Sequence, residues 1–200
     1  KIKNFIYASS STVYGERDKN FTENFVTNNP KSIYAISKLN NEITAKFYSD
    51  NFNINSIGIR FFSIYGPYGR KDMSYYKFVD DIFNKKKIFI NGNGKIKRSF
   101  THIDDAVICL VKLIKKYIKI KKYSEIFNIG HEESVSINKV VSLIKNKTKK
   151  KFKVIYKKKT KVDNRITKTN INKLFKTVNF KPKKKLDKGI EDFINWYLKS

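Results

Sequence analysis

The apolar positions of this chain alternate between short continuous runs and longer stretches spaced for helices. Ile2 to Ser9 is a short apolar run ending in small polar residues, the pattern of a strand buried in a parallel sheet. A polar stretch follows, Gly15 to Lys31, broken at Asn28-Asn29-Pro30. From about Ser32 to Asn51, Ala35, Leu39, Ile43, Phe47 and the small Ala45 suit one helical face. Ile54 to Phe62 is a second run of strand length, followed by the loop Tyr65-Gly66-Pro67-Tyr68-Gly69. The pattern then predicts a helix over Ser74 to Lys86 with Phe78, Ile82 and Phe83 inward, and a strand at Ile88 to Ile90. A turn at Asn91-Gly92-Asn93-Gly94 leads into a strand over Ile96 to Thr101. Asp104-Asp105 caps and charges the start of a helix that runs through Val107, Leu110, Val111 and Ile114. Glu125 to Ile129 reads as a strand, Ser136 as the N-cap of a helix to Lys145, and Phe152 to Tyr156 as another strand. The last amphipathic helix, Leu186 to Leu198, carries Ile190, Phe193, Ile194 and Tyr197 on one side.

Strands alternating with helices predict an α/β fold with a parallel sheet. The shorter strands of the later half predict a smaller α+β portion on top. At 200 residues and 40% hydrophobic content, the chain has the material for one sizeable core or slightly more. No run reaches about 18 apolar residues, so no membrane span is expected. The first residues, Lys1-Ile2-Lys3-Asn4-Phe5, carry no signal-peptide pattern. The single cysteine, Cys109, has no partner for an internal disulfide and is expected to pack as a small apolar residue in a reducing, cytoplasmic compartment.

The formal charge is +27, which raises the question of a polyanionic partner. However, 39 of the 44 basic residues are lysine and only five are arginine, at positions 17, 60, 70, 98 and 165. Nucleic-acid sites lean on arginine forks. Lys, Asn, Ile, Phe and Tyr dominate throughout, as an AT-rich coding sequence would produce. The charge is therefore read as compositional drift, with neither nucleic acid nor membrane as the expected partner.

Two stretches carry chemistry. Ser9-Ser10-Ser11-Thr12-Val13-Tyr14-Gly15 ends the first strand in hydroxyls, and Tyr34-Ala35-Ile36-Ser37-Lys38 opens the next helix. Spacing i, i+4 puts the tyrosine and lysine on one helical face. An ammonium beside a phenol favours the phenolate, which makes such a pair a candidate general base for an alcohol. By itself the pair is weak. A chain this rich in tyrosine and lysine produces it by chance, and a second copy, Tyr117/Lys121, lies in a lysine run with no hydroxyl cluster and reads as solvated surface. His102 and His131 lack partners at metal-ligand spacing, so no metal is expected. His102 reads as a packed or nucleotide-near residue and His131 as a loop histidine.

With these motifs in order, the chain resembles the extended short-chain dehydrogenase/reductases that act on nucleotide sugars, and among them is most similar to UDP-glucuronate 4-epimerases. The resemblance rests on Ala8 to Gly15, Tyr34 to Lys38, Arg60-Phe61-Phe62-Ser63-Ile64-Tyr65-Gly66-Pro67, Gly69-Arg70-Lys71-Asp72-Met73, and Arg98 to Asp105. It implies a partial Rossmann-type parallel sheet with a smaller α+β substrate-binding domain. Residues 1–66 would be the C-terminal part of the NAD-binding domain and 67–200 mostly the nucleotide-sugar domain, with 102–130 returning to the Rossmann part. It also implies roles. Tyr34 would be the base that takes the sugar O4 proton, Lys38 would support it and hold the nicotinamide ribose, and Ser10 would hydrogen-bond the same O4. Ala8, Ser9, Phe61 and Ser63 would contact NAD. Ser11, Thr12, Ser63, Arg70, Lys77, Phe78 and Arg98 would contact the UDP-sugar, Arg70 suiting an anionic sugar and Arg98 the diphosphate. Related dehydratases and decarboxylases place carboxylates at the positions of Ser11 and Thr12, so plain epimerisation at C4 is expected. UDP-glucose, or another nucleotide sugar, is the alternative substrate. A degenerate polyanion-binding protein is the alternative of another class. Homodimerisation through the Tyr34 helix is a further implication.

The chain also departs from the pattern. No Gly-x-x-Gly-x-x-Gly fingerprint occurs, and Ser99 stands where the family usually has Asp. Val162-Asp163 and Thr167-Lys168-Thr169-Asn170 only loosely match the family's substrate segment. The expectation is the C-terminal two-thirds of a longer enzyme, with 200 residues alone binding little NAD and giving no turnover.

Overall fold

The computed structural model describes residues 2–15, 21–27, 29–121, 123–158 and 169–200. Its elements, in chain order, begin with β1 (Asn4–Ser10), a 3-10 turn (Ser11–Tyr14), α1 (Ile33–Phe52), β2 (Asn55–Phe61) and β3 (Ser63–Tyr65). Then come α2 (Ser74–Phe83), β4 (Ile88–Asn91), β5 (Lys97–Arg98), β6 (Phe100–His102) and α3 (Ile103–Tyr117). The chain finishes with β7 (Ser124–Ile129), β8 (Val135–Ser136), α4 (Ile137–Thr148), β9 (Val154–Lys157), α5 (Asn172–Val178) and α6 (Leu186–Tyr197).

Strands β1, β2 and β7 form a parallel sheet in that order. The register pairs Ser10 with Phe61 and Phe61 with Ile129, so the three strands end together. Ligands of open α/β sheets bind at this carboxyl edge. Three further pairs, β3–β6, β4–β9 and the antiparallel β5–β8, lie beyond it. The architecture is α/β, as the alternating pattern predicts.

Among the described residues, two large cores and a small cluster of Tyr14, Phe21 and Phe62 carry the packing. In the first, Ile57 and Ile59 of β2 and Phe127 and Ile129 of β7 pack on Ala106, Cys109 and Leu113 of α3 and on Leu174 of α5. In the second, Tyr75, Phe78, Val79 and Ile82 of α2 meet Val140 and Ile144 of α4 and Ile190 and Phe193 of α6.

Several elements differ from the sequence expectation. In α1 the expected face is only partly buried: Ala35 and Ala45 are buried and Leu39 is half-buried, but Ile43 is 61% and Phe47 54% exposed, and Glu42 and Ser49 are buried in their stead. The reason lies in the covered sheet face. There β2 presents Gly58 and the charged Arg60, and Tyr7 of β1 lies over Gly58. A helix can seat closely on such a face only through small residues and a counter-charge. In α3 the buried face is Ala106, Cys109 and Leu113, so Val107 and Val111 are exposed. Its N-cap is His102, whose Nδ1 accepts from the Asp104 amide at 3.2 Å, and Asp104 and Asp105 lie inside the first turn. The expected strand Ile96 to Thr101 is two short strands, β5 and β6, in separate pairs. The break falls at Ser99, whose hydroxyl donates to the His131 carbonyl. The strand β3 and the helix α5 carry patterns too short to register in the sequence.

Gly58 tests how tightly α1's side of the sheet is filled. A Cβ there would lie 2.5 Å from Tyr7 Oη. Gly58→Ala is expected to destabilise the fold by about 1–3 kcal/mol, read by chemical denaturation, as overpacking does in a filled interior.

Candidate active site

A cleft of about 760 Å³ opens over the carboxyl edge of β1 and β2. Ala8, Ser9, Ser10, Ser11, Thr12, Tyr34, Phe61, Ser63 and Arg70 all line it. The strand-end alcohols and the helix-start phenol therefore face one space.

Ser10 ends β1 and caps the 3-10 turn. Its Oγ accepts from the Thr12 amide at 3.3 Å and from Thr12 Oγ1 at 3.0 Å. With two bonds accepted, its own proton is left to donate. The turn closes when the Gly15 amide donates to the Thr12 carbonyl, with Gly15 at φ +67 and its α-carbon against the Asn29 carbonyl. Only glycine combines that φ with that approach.

Tyr34 stands in the first turn of α1, behind the N-cap Ser32, whose Oγ accepts from the Ala35 amide at 3.1 Å. It is half-exposed toward the cleft. Lys38, one turn on, places its Nζ 5.6 Å from the Tyr34 ring centroid and donates to the Ala8 carbonyl at 3.0 Å. The ammonium is thus held between the phenol and the strand end.

Behind this group lies a polar network that the motifs did not reveal. The Ser9 hydroxyl donates to Glu42 Oε1 at 2.5 Å. Arg60 forks onto the same carboxylate, Nε to Oε1 at 2.9 Å and Nη2 to Oε2 at 2.7 Å. Glu42 and Arg60 are 6% and 3% exposed. The Tyr14 ring covers the guanidinium at 4.6 Å, and its hydroxyl donates to Asn128 Oδ1 at 2.8 Å. Burial pushes the Tyr14 phenol up to about 12, opposed by Arg60. A usable signal was present: a lone arginine inside the apolar run of β2 must find a buried partner.

Arg70 sits at the cleft rim. It forks onto Asp72, Nε to Oδ1 at 2.9 Å and Nη2 to Oδ2 at 2.5 Å, and both side chains are solvent-exposed. The Asp72 carboxylate raises Arg70 above its ordinary range, with Tyr34 adding in the same sense. A second cleft, of about 450 Å³, is lined by Lys77, Phe78 and Arg98 and shares Ser63 and Met73 with the first. Phe78 is mostly packed in the second core and offers the cleft one edge.

The remaining candidates fall outside these clefts. His102 is buried, and burial lowers its pKa; its Nε2 has no hydrogen-bond partner among the described residues. His131 ties its loop to the neighbourhood of β6: its amide donates to Thr101 Oγ1 and its carbonyl accepts from the Ser99 hydroxyl, while its Nδ1 accepts from the Glu133 amide. The Cys109 thiol is buried and pushed up to about 12 by desolvation, which leaves it unreactive. Tyr117 is not solvated surface: its ring packs edge-on against Tyr123 and Phe127, so the second Tyr/Lys pair builds no site. Val162, Asp163, Thr167 and Lys168 lie outside the described residues. Thr169 is buried beside Phe21, and the Asn170 carbonyl accepts from Asn128. Among the described residues no group of three or more His, Cys, Asp or Glu could hold a metal, and no helix is long and apolar enough to cross a membrane.

Residues 1–130 match the model of the NAD dependent epimerase/dehydratase family. The chain is 35% identical over 212 residues to Protein CapI of Staphylococcus aureus, covering 98% of this chain and 64% of that protein. It is 31% identical over 196 residues to a UDP-glucuronate 4-epimerase of Thermodesulfobacterium geofontis, covering 98% and 59%. Its backbone matches the UDP-glucuronic acid 4-epimerase of Bacillus cereus, solved with UDP-glucuronic acid and NAD, at a TM-score of 0.93 and 29% identity, over 100% of this chain and 62% of that one. The chain thus spans about three-fifths of the length of the relatives it matches. From these matches and the cleft they surround, the chain belongs to the NAD-dependent epimerase/dehydratase family.

Proposed function

We propose that this chain carries the catalytic and sugar-binding part of an NAD-dependent nucleotide-sugar 4-epimerase, with UDP-glucuronate as substrate and UDP-galacturonate as product. The observation that carries the proposal is the meeting of Ser10, Tyr34 and the Lys38–Ala8 tie at one cleft, with Arg70 at its rim. The names of the UDP-glucuronate 4-epimerases among the relatives support the same reading.

The nicotinamide end of NAD fits this corner. Phe61 offers an apolar wall, Ala8 a small floor, and Lys38 a cation within reach of a ribose beside Tyr34. When bound, NAD supplies the hydride acceptor at sugar C4 and returns the same hydride. The residues of this chain do the rest. Tyr34 takes the O4 proton while Ser10 donates to O4 and holds it in line. Lys38, one helical turn away, lies by the Tyr34 ring and holds the Ala8 carbonyl. Loss of hydride and proton would leave a 4-keto sugar, which has to present its other face before the proton returns. Hydride then returns to the opposite face, and Tyr34 returns the proton. No net oxidation results.

Ser11 and Thr12 supply no carboxylate near C5 or C6. Elimination and decarboxylation require such an acid or base, and the carboxylate on the cleft lining, Asp104, is engaged by Lys184, so the reading is epimerisation alone. Arg70 is the group suited to a sugar carboxylate. Its exposed pair with Asp72 is weak and exchangeable, so a uronate can take Asp72's place on the guanidinium fork. Arg98 and Lys77, across the shared Ser63, suit the diphosphate and uridine side. The outward stripe of α1, with Ile36, Ile43 and Phe47, suits a homodimer through that helix.

The test uses protein expressed from its complete reading frame. It is expected to interconvert UDP-glucuronate and UDP-galacturonate with NAD retained, followed by NMR of the anomeric signals. Tyr34→Phe should lower kcat by roughly 100-fold or more, the usual worth of a positioned base. Absence of interconversion in the parent protein would refute the proposal. Arg70→Ala should reduce kcat/KM for the uronate about tenfold or more beyond its effect on UDP-glucose, since it removes a bidentate charged contact only the uronate uses. Equal losses on both sugars would assign the cleft to a neutral nucleotide sugar instead.

A further inference from the structure

We propose that Glu42 and Ser9 are positioning residues of this site: the carboxylate draws the end of β1 onto α1 and thereby sets Ser10 opposite Tyr34. The inference rests on the epimerase reading for its kinetic consequence, and on geometry alone for its structural one.

Tyr34, Lys38 and Glu42 stand at i, i+4 and i+8, one stripe along α1. Each successive turn of that stripe engages the strand end. Lys38 holds the Ala8 carbonyl at 3.0 Å, and Glu42 holds the Ser9 hydroxyl at 2.5 Å. Ser10 is the next residue of β1, and Tyr34 begins the stripe. Two ties on adjacent strand residues, met by adjacent helical turns, fix how far α1 can slide along β1. A slip of one helical residue, about 1.5 Å, breaks both.

The other buried residues of α1 are the small Ala35, Ala45 and Ser49; of these Ser49 adds a tie, its hydroxyl donating to the Tyr123 carbonyl at 3.2 Å, but near the end of the helix away from Tyr34. Beside the reacting groups the register is set by Lys38 and Glu42. The remaining buried group is Glu42 itself, and it is held from a third side. Arg60 lies opposite Ser9 in the β1–β2 register and forks onto both carboxylate oxygens. Tyr14, at the far end of the turn that Ser10 caps, lies on the same guanidinium. The carboxylate therefore connects β1, the turn, β2 and α1 at one point, immediately beneath the reacting groups.

Three variants, in protein expressed from its complete reading frame, test this. Ser9→Ala removes one tie and leaves the Glu42–Arg60 pair intact. It should lower kcat about tenfold or more while KM stays within about threefold, because displaced catalytic groups affect the transition state more than binding. Its melting temperature should change by no more than about 3 °C, while the amides of Ser10 to Gly15 exchange about tenfold faster. Ser9→Thr, which keeps the hydroxyl, should recover most of the kcat. The double variant Glu42→Met with Arg60→Met replaces the pair by apolar side chains of similar volume, which often preserves stability. It should reproduce the loss in kcat and the faster exchange in a folded protein, and it decides the question should Ser9→Ala fail to fold. The proposal is overturned if both variants keep kcat and the exchange of residues 10–15 within about twofold of the parent, or if kcat falls only where the melting temperature falls with it. Should the parent show no epimerase activity, the function proposed above fails while the exchange comparison still decides the positioning role.

Discussion

A buried carboxylate clasped by a guanidinium organises the corner of this fold where the chemistry would occur. Glu42 and Arg60 are both almost fully removed from water. Ionised groups in such a place are costly unless their partners satisfy them, and removing one partner typically costs about 3–5 kcal/mol. Here the satisfaction is extensive: two guanidinium bonds, a serine hydroxyl, and an aromatic face over the cation. The arrangement constrains everything around it. With Arg60 inside the sheet, α1 has to turn a carboxylate inward. With that face given to Glu42 and small residues, the bulky apolar residues of α1 are left on the outside.

The same constraint divides the molecule's work. The first core, built on β2 and β7, positions the strand end and the start of α1. The second, built on α2, α4 and α6, presents Lys77, Arg98 and the rim with Arg70. The two meet where Ser63 and Met73 serve both clefts. Polar contacts bind them further. Asp105 of α3 accepts from the amides of Lys183 and Lys184 at 2.8 and 2.7 Å, and Lys184 reaches Asp104 and Asp192. The second core is thus fastened to the same sheet whose edge carries the hydroxyls, and the distance between the two clefts is set by packed elements rather than by loops alone.

What the sequence revealed follows from how local each signal is. The runs in β1 and β2, the N-cap Ser136 and the inward side of α6 depend on neighbouring residues, so they could be read directly. The meeting of Ser10 and Tyr34 at one cleft, with Lys38 beside them, was legible because motif order carried it. The orientation of α1 was not. Its stripe of Leu39, Ile43 and Phe47 has the right period for burial, but which face is buried depends on Arg60, 18 residues after Glu42, and on Gly58 making room for Tyr7. The split of Ile96 to Thr101 depended on His131, 32 residues beyond Ser99. Capping by His102 was missed because imidazole is an unusual acceptor for a helix start, while the two aspartates beside it are common ones.

The division between lysine and arginine gives a physical reason to treat the clefts separately from the rest of the surface. With 39 lysines and five arginines, the composition has favoured lysine wherever a positive charge alone suffices. Lys184 between Asp104 and Asp192, or Lys147 beside Asp187 and Glu191, is such a place, since an ammonium satisfies a carboxylate from any direction. The three described arginines lie elsewhere. Arg60 and Arg70 each grip a carboxylate with two nitrogens, and Arg98 lines the second cleft. A planar fork is what lysine cannot supply. In a chain so rich in lysine, the arginines mark positions where geometry is required as well as charge, and all three described ones border or underlie the two clefts.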